Sequence, residues 1–140
     1  PAGRLIIPSV NISSVLLGNS TEESLALGPG YIEGTARPEE TGNTAIAGHR
    51  DTFFRPLRRI KKGDIIILEY LTGTKLYKVD DIRIVEPTDS QWLEKSLADL
   101  ITLITCYPFD YVGAAPKRFI VRGSLIKLSE DVLYLKQVYP

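Results

Sequence analysis

The sequence predicts an all-β fold, mainly β with a few short helices, whose strands form an antiparallel or mixed β-barrel or sandwich. About seven or eight short apolar segments, rich in β-branched residues, are separated by turns that contain Gly and Pro. The alternation of strands and helices that marks a doubly wound α/β fold is missing. Because 140 residues suit one domain, a single domain over residues 1–140 is expected.

The first third of the chain is expected to form strands around one short helix. RLIIPSVNISSVLLG predicts one or two strands broken by Pro8. STEESLALG predicts a helix, in which Ser20 suits the N-cap and Glu23 follows three residues later as in a capping box. Gly28 is placed to end this helix, and the Gly- and Pro-rich stretch after it predicts a loop.

The remainder is expected to be rich in strands. Residues 43–48 predict a buried strand, and DTFFRPLRRI predicts a short helical segment interrupted by Pro56. Two strands are predicted to form a hairpin around residues 72–73. DSQWLEKSL predicts a short helix capped by Asp89 or Ser90. LITLITCY and KRFIVRGSL predict two further strands, whereas the tail LSEDVLYLKQVYP fits either a strand or a helix.

Charge and cysteine content exclude several functional classes. The 17 basic and 17 acidic residues balance to a formal net charge of zero, whereas nucleic-acid binders normally carry a basic excess. The basic run over residues 55–62 is interpreted as a solvated helix face. One Cys and one His provide neither an internal disulfide nor the four ligands of a structural zinc site. No structural zinc site is therefore expected.

The sequence also bears on targeting. Its apolar runs fall far short of the roughly 18 residues that a membrane-spanning helix requires, and no secretory signal pattern opens the chain. The chain contains no Met and begins with Pro. It is therefore expected to be an excised domain, from which any targeting or membrane segment has been removed.

Cys106 and His49 are the candidate nucleophile and base. A free Cys is often a small buried hydrophobic residue, and composition alone favours that interpretation by roughly two to one. Cys106, however, ends a β-rich run and opens a loop, where rigid scaffolds tend to present reactive groups. His49 also follows an apolar run, and imidazole is the usual partner of a thiol nucleophile. A lone His is more often structural, so both interpretations stay open.

Arg118 is the candidate cation. An Arg on a strand is commonly a plain surface residue. Strand alternation places Phe119 and Val121 on one face and Arg118 and Ile120 on the other. If Phe119 faces the core, Arg118 faces the opposite side and can reach a groove beside Cys106. There its permanent charge would favour a thiolate or a developing oxyanion.

Two segments carry a resemblance to a known family. LITLITCYPFDYVGAAPKRFIVRG closely resembles the sortase segment in which a T-L-x-T-C run is followed by a short loop and by an Arg on the next strand. GNTAIAGHRDTFFRPLRRIKKGD resembles the histidine segment of sortases. The preceding GPGYIEGTARPEETGN is most similar to the class D subgroup, and the resemblance covers about residues 28–123.

The resemblance implies a fold and an activity. Sortase catalytic domains are eight-stranded β-barrels, which agrees with the strand count. Sortases are cysteine transpeptidases, anchored by an N-terminal segment to the extracytoplasmic face of the cell membrane, mainly in Gram-positive bacteria. They cleave an L-P-x-T-G-like sorting signal of surface proteins after Thr, then join the acyl group to an amine of a cell-wall precursor or another protein. The chemistry requires no cofactor.

The same resemblance assigns roles to individual residues. Cys106 matches the nucleophile, His49 the acid/base and Arg118 the arginine of the family. Thr105 is expected to contact the substrate, although a plain β-branched strand residue is an equal alternative. Tyr107 is expected to line the substrate groove.

Two further points stay open. Segments 87–99 and 107–116 are the expected walls of the groove, but Trp92 within the first is more readily interpreted as a core residue. A hydrolytic cysteine peptidase would use the same residues, with water resolving the thioester. A non-catalytic surface β-domain with Cys106 buried is the other alternative.

Overall fold

The computed structural model of the chain describes residues 2–129, in which the strands form one eight-stranded sheet. One α-helix, α1 (Glu22–Leu27), and three 3-10 helices, Pro8–Val10, Arg55–Arg59 and Gln91–Leu93, join the strands in this part of the chain. The mainly β fold with few short helices is therefore confirmed. The strands are β1 (Gly3–Ile7), β2 (Ile12–Leu16), β3 (Gly30–Tyr31), β4 (Asn43–Ala47), β5 (Ile65–Tyr70), β6 (Gly73–Val85), β7 (Leu100–Tyr107) and β8 (Lys117–Ser129).

The sheet is nearly closed into a barrel. Its strand order is β2-β1-β5-β6-β8-β7-β4-β3, and the described neighbours are antiparallel except for β4 and β7, which are parallel. The two edges approach each other where Leu17, just beyond β2, bridges to Gly30 of β3. There the Leu17 N–H donates to the Pro29 carbonyl at 2.9 Å, and the Tyr31 N–H donates to the Leu17 carbonyl at 3.1 Å. The predicted eight-stranded barrel is therefore confirmed.

The interior of the barrel is filled by apolar side chains at every second strand position. Leu5 and Ile7 on β1 are fully buried, as are Ile101 and Leu103 on β7. This spacing arises because successive strand residues point to opposite faces of the sheet. Burying each large aliphatic side chain contributes about 1.5–3 kcal/mol. Other fully buried members of the core are Leu16, Tyr31, Ile46, Phe54, Leu57, Ile66, Leu68, Tyr77 and Val121.

The helical segments differ from the predictions in detail. The helix α1 is capped by Thr21 and not by Ser20, because the Thr21 hydroxyl accepts a hydrogen bond from an N–H of the first turn. Its predicted end at Gly28 is confirmed. Pro56 does not interrupt a helix, since it lies in the first turn of the 3-10 helix Arg55–Arg59, where an N–H has no intrahelical acceptor.

Two predicted elements downstream are also refined. The β5–β6 hairpin is confirmed, with Leu71 and Thr72 as its two-residue turn. The helix predicted over residues 89–97 is reduced to the single 3-10 turn Gln91–Leu93, because the segment is held to the sheet by polar contacts and does not complete a second turn. The ambiguous tail begins as the end of β8, and residues 130–140 lie outside the described residues.

Candidate active site

Parallel pairing of β4 and β7 brings His49 and Cys106 to the same end of the sheet. Ala47 and Ile104 are partners in this pairing, and the Gly48 N–H donates to the Ile104 carbonyl at 3.1 Å. His49 and Cys106 each lie two residues beyond those partners. Two segments that are distant in the sequence therefore end side by side.

Antiparallel pairing of β7 and β8 places Arg118 directly opposite Cys106. Opposed residues on one face have Cβ atoms about 4.5–5.5 Å apart. Phe119 is 8% exposed and faces the core, so Arg118 lies on the opposite, outer face, as the alternation predicted. The Arg118 Nη1 donates to the carbonyls of Ala115 and Lys117, at 3.2 and 2.8 Å. These bonds hold the guanidinium at the end of β8 nearest Cys106.

The two reactive side chains differ in exposure. His49 is exposed to solvent. Cys106 is half-buried and carries a free thiol. The sealed cysteine that a non-catalytic β-domain would contain is therefore not observed.

Two arginines join the segment after His49 to the β7–β8 loop (residues 108–116). The Arg50 Nη2 donates to the carbonyls of Tyr111 and Gly113, both at 2.8 Å. Arg55 pairs with Asp110 at 2.6 Å, and its hydrogen bond and charge lower the pKa of that carboxyl. Sequence reasoning missed both arginines. Other cations of the basic run are exposed, as predicted for a solvated face: Arg58, Arg59, Lys61 and Lys62.

Close packing positions the backbone of His49. A Cβ on the preceding residue, Gly48, would lie 2.6 Å from the ring of Phe54, which is fully buried. The Phe54 N–H also donates to the His49 carbonyl at 3.0 Å. Only Gly therefore fits between β4 and this ring.

An apolar strip lies next to Cys106 on the outer face. Ile104 and Ile120 oppose each other there, and Ala47 flanks Ile104 on β4. All three are buried or half-buried. Beyond this strip, Thr102 opposes Arg122. The strip therefore lies between the charged end at Arg118 and a second polar group.

The structure does not bring Thr105 and Tyr107 onto the face of Cys106. Thr105 is 2% exposed, opposes Phe119 on the core face, and its hydroxyl has no hydrogen-bond partner among the described residues. The Tyr107 ring packs against Phe119 and Phe109, with centroids 6.2 and 6.0 Å apart. Their expected contacts with a substrate stay predictions.

A family model described as Sortase domain matches residues 5–126. The chain belongs to the sortase family. Sortase D of Bacillus subtilis (strain 168) is 35% identical to this sortase over 127 residues, which cover 89% of this chain and 64% of that protein. Sortase A of Bacillus anthracis is 34% identical over 128 residues, covering 89% and 59%. The chain thus spans less than two thirds of the length of these curated relatives.

Solved structures of other sortases share the fold. A Clostridium perfringens Sortase D5 transpeptidase superposes with a TM-score of 0.81 at 30% identity, covering 90% of this chain and 79% of that one. Listeria monocytogenes sortase A superposes with a TM-score of 0.84 at 27% identity, covering 99% and 95%. Sortase D proteins are among the relatives, as the class D resemblance predicted.

Three further findings concern the described residues of this sortase. Residues 2–129 contain no cluster of three or more His, Cys, Asp or Glu side chains that could hold a metal ion. Within the same range, no helix has the length and apolar character needed to span a membrane. Trp92 is absent from the core cluster, and the Arg122 guanidinium lies over its ring, 4.9 Å from the ring centroid, so the core position favoured for Trp92 is wrong.

Proposed function

We propose that this sortase is a cysteine transpeptidase that acts on an L-P-x-T-G-like sorting signal. The observation that carries the proposal is the position of three side chains at one end of the sheet. Cys106 opposes Arg118, and His49 lies just beyond the adjacent end of β4. The arrangement combines a thiol nucleophile, an imidazole that can donate or accept a proton and a permanent cation.

In the first half-reaction, the Cys106 thiolate attacks the carbonyl carbon of the peptide bond that follows Thr in the signal. The carbonyl oxygen becomes an oxyanion in the tetrahedral intermediate. As the intermediate collapses, the C–N bond breaks and His49, in its imidazolium form, donates a proton to the leaving amine. The acyl group stays on Sγ as a thioester.

In the second half-reaction, an amine of a cell-wall precursor or another protein attacks the thioester carbonyl. His49, now neutral, accepts a proton from the attacking nitrogen. The C–S bond breaks, the thiolate of Cys106 is restored, and a new amide replaces the one that was cleaved. Because one amide is exchanged for another, the reaction needs no cofactor.

Arg118 is proposed to stabilise charge during both half-reactions. Its described hydrogen bonds to the Ala115 and Lys117 carbonyls engage Nη1 alone. A guanidinium carries five donors in a fixed fork, so others can meet the oxyanion or a substrate carbonyl. A preorganised cation of this kind stabilises charge as it develops, without reorganising during the reaction.

The apolar strip beside Cys106 is proposed as the floor of the substrate groove. Ile104, Ile120 and Ala47 offer an apolar surface for the Leu and Pro of the signal. Along β7, the distance from Cys106 to Thr102 is about 13 Å at 3.3 Å per residue. An extended peptide of about four residues covers that length, which suits the four residues that precede the cleaved bond.

Thr105 and Tyr107 are retained as proposed substrate-contacting residues, because they flank the nucleophile in β7. Thr105→Val keeps the side-chain volume and removes the buried hydroxyl, whereas Tyr107→Phe removes only the phenol oxygen. A contact with substrate predicts that either change raises KM for the peptide. An unchanged KM for both variants would restrict these residues to packing.

The proposal includes a cellular context. The partners are the C-terminal sorting signal of a surface protein and an amine acceptor, and nucleic acid is not among them. The domain is proposed to act on the extracytoplasmic face of the membrane, held there by a segment that precedes residue 1. Membership of the sortase family, whose role is at the cell surface, supports this placement.

The test is cleavage of a fluorogenic L-P-x-T-G peptide in the presence and absence of an amine acceptor. A ligated product identifies a transpeptidase, whereas hydrolysis alone, at every amine concentration, identifies a cysteine peptidase. Cys106→Ala is expected to abolish both reactions while circular dichroism and the unfolding midpoint stay near the wild-type values. Cleavage by a folded Cys106→Ala variant would refute the assignment.

Two further variants separate the proposed roles. His49→Ala is expected to lower kcat/KM by about 10²–10⁴-fold, the usual range for a general acid/base. Arg118→Lys keeps the charge but loses the planar fork, so a large loss is expected if the fork geometry matters. Full activity of Arg118→Lys would argue against a fork-specific role.

A further inference from the structure

A polar network on the outer face ties the β6–β7 loop (residues 86–99) to three strands. The Arg122 Nη2 and the Asn43 Nδ2 both donate to the Trp92 carbonyl, at 2.9 and 2.8 Å. The Asn43 Nδ2 also donates to the Glu94 carbonyl at 3.1 Å. Thr102 links the two side chains, since its hydroxyl accepts from the Arg122 Nε at 3.1 Å and donates to the Asn43 Oδ1 at 2.7 Å.

A ring contact adds to these hydrogen bonds. The Arg122 guanidinium lies 4.9 Å from the centroid of the Trp92 ring, within the range of a cation–π interaction. Partial burial lowers the pKa of Arg122, and the nearby carboxylates of Asp81 and Asp80 oppose that shift. The guanidinium stays charged at neutral pH. It therefore holds Trp92 by its backbone and its ring at once.

This network lies at a defined position relative to Cys106. On the outer face, Cys106 opposes Arg118, Ile104 opposes Ile120, and Thr102 opposes Arg122, at successive two-residue steps. The apolar pair is thus enclosed between Arg118 and the Arg122–Trp92 contact. The loop that carries Trp92 crosses the sheet where the apolar strip ends.

We infer that Arg122 is a positioning residue that fixes the β6–β7 loop as the far wall of the substrate groove. This inference rests on the proposed function. Arg122 touches neither Cys106 nor the reacting bond, and acts through Trp92. Because Arg122 orders the loop before the peptide binds, the free energy of binding does not include the entropic cost of ordering it. Loss of Arg122 therefore weakens peptide binding and leaves the rate of bond cleavage unchanged.

The chain offers a direct reporter of this loop, since Trp92 is its single Trp. Acrylamide quenching of Trp92 fluorescence is measured for the wild type, Arg122→Lys, Arg122→Gln and Asn43→Ala. Arg59→Gln is the matched control, because the Arg59 side chain is exposed and has no described hydrogen bond or ion pair. KM and kcat for the L-P-x-T-G peptide are measured on the same samples, with circular dichroism as the check of folding.

Arg122→Gln is expected to raise the quenching constant about twofold and KM about tenfold, with kcat within twofold of the wild type. A tenfold change corresponds to ~1.4 kcal/mol. The quenching constant and KM of Arg122→Lys are expected to lie between those of the wild type and Arg122→Gln, because an ammonium can donate to the Trp92 carbonyl but lacks the planar contact with the ring. Asn43→Ala removes the other donor to that carbonyl. It provides the test of loop positioning if the Arg122 variants do not fold.

Each combination of quenching and kinetic results either supports or overturns the positioning role of Arg122. Unchanged quenching and KM, a rise in quenching without a rise in KM, or a fall in kcat alone would each overturn the positioning role while the proposed function stands. A rise in KM without a rise in quenching would also overturn it, because Arg122 would then act without the loop. Absence of peptide cleavage by the wild type would refute the proposed function itself, and the groove with it.

Discussion

Replacing Gly48 by Ala tests how closely the core is packed against His49, the proposed general acid/base. The added Cβ would lie 2.6, 2.7 and 2.9 Å from three atoms of the Phe54 ring, whereas ordinary contacts are 3.4–4 Å. The ring must therefore retreat by about 1 Å. Phe54 is fully buried, so the ring has no open space into which to move.

The expected cost follows from that displacement. Overpacking of a core by one methyl group typically costs about 1–3 kcal/mol, and we expect a loss of about 2 kcal/mol in the free energy of unfolding. Because the Phe54 N–H is bonded to the His49 carbonyl, the shift reaches the histidine backbone. A 1 Å misplacement near the reacting groups can lower the rate about 10²-fold, so kcat/KM is expected to fall by that order.

Urea unfolding and peptide cleavage measure the two effects. Gly18→Ala is the matched control, since a Cβ there meets nothing within 4 Å, and it is expected to lie within about 0.5 kcal/mol of the wild type. Adding Phe54→Leu to Gly48→Ala is expected to recover part of the stability by making room. If Gly48→Ala matches Gly18→Ala in both measurements, the steric argument is wrong.

Three further changes address the core and the charges. Leu68→Ala is expected to lower the free energy of unfolding by about 3 kcal/mol, and a loss under 1 kcal/mol in urea would contradict its full burial. Asp99→Asn leaves the buried Lys75 ammonium without its carboxylate partner at 2.9 Å, and we expect thermal unfolding to show a loss of about 3 kcal/mol in the free energy of unfolding. Adding Lys75→Met is expected to recover part of that free energy. No recovery would contradict the idea that the loss comes from an unpaired buried charge. Arg55→Ala is expected to raise the pKa of Asp110, which an NMR titration measures. Because Arg55 lowers that pKa in the folded state, the pair stabilises the fold above the ordinary carboxyl pKa, and this stabilisation is lost as the pH falls through the lowered pKa. A pKa of Asp110 that does not change in Arg55→Ala would refute the link.

Strand alternation correctly predicted the face on which Arg118 lies, because it is a local property. The placement of Arg118 opposite to the core-facing Phe119 needs only a period of two. The same rule, applied from Cys106, places both Thr105 and Tyr107 on the core face. The signal that these side chains point away from the nucleophile was therefore present in the sequence, although their position next to Cys106 suggested a contact with substrate.

Two arginines that the sequence reasoning missed, Arg50 and Arg122, have backbone acceptors in distant segments. Arg50 donates to the Tyr111 carbonyl, and Arg122 to the Trp92 carbonyl. Every residue carries such a carbonyl, so no pattern of residue types marks the acceptor. Trp92 was misplaced for the same reason, because its contact with Arg122 depends on where the β6–β7 loop crosses the sheet.

The residues alone predicted the β-rich fold class. Two segments of the sequence also indicated the family to which the chain belongs. These depend on periodicity and on short motifs, which persist in an isolated stretch of chain. Tertiary structure decided that the ends of β4 and β7 lie side by side, that Gly48 must accommodate the Phe54 ring, and that Arg122 donates to the Trp92 carbonyl of the β6–β7 loop. Such contacts join residues far apart in the sequence, and only closure of the barrel brings them within reach of one another.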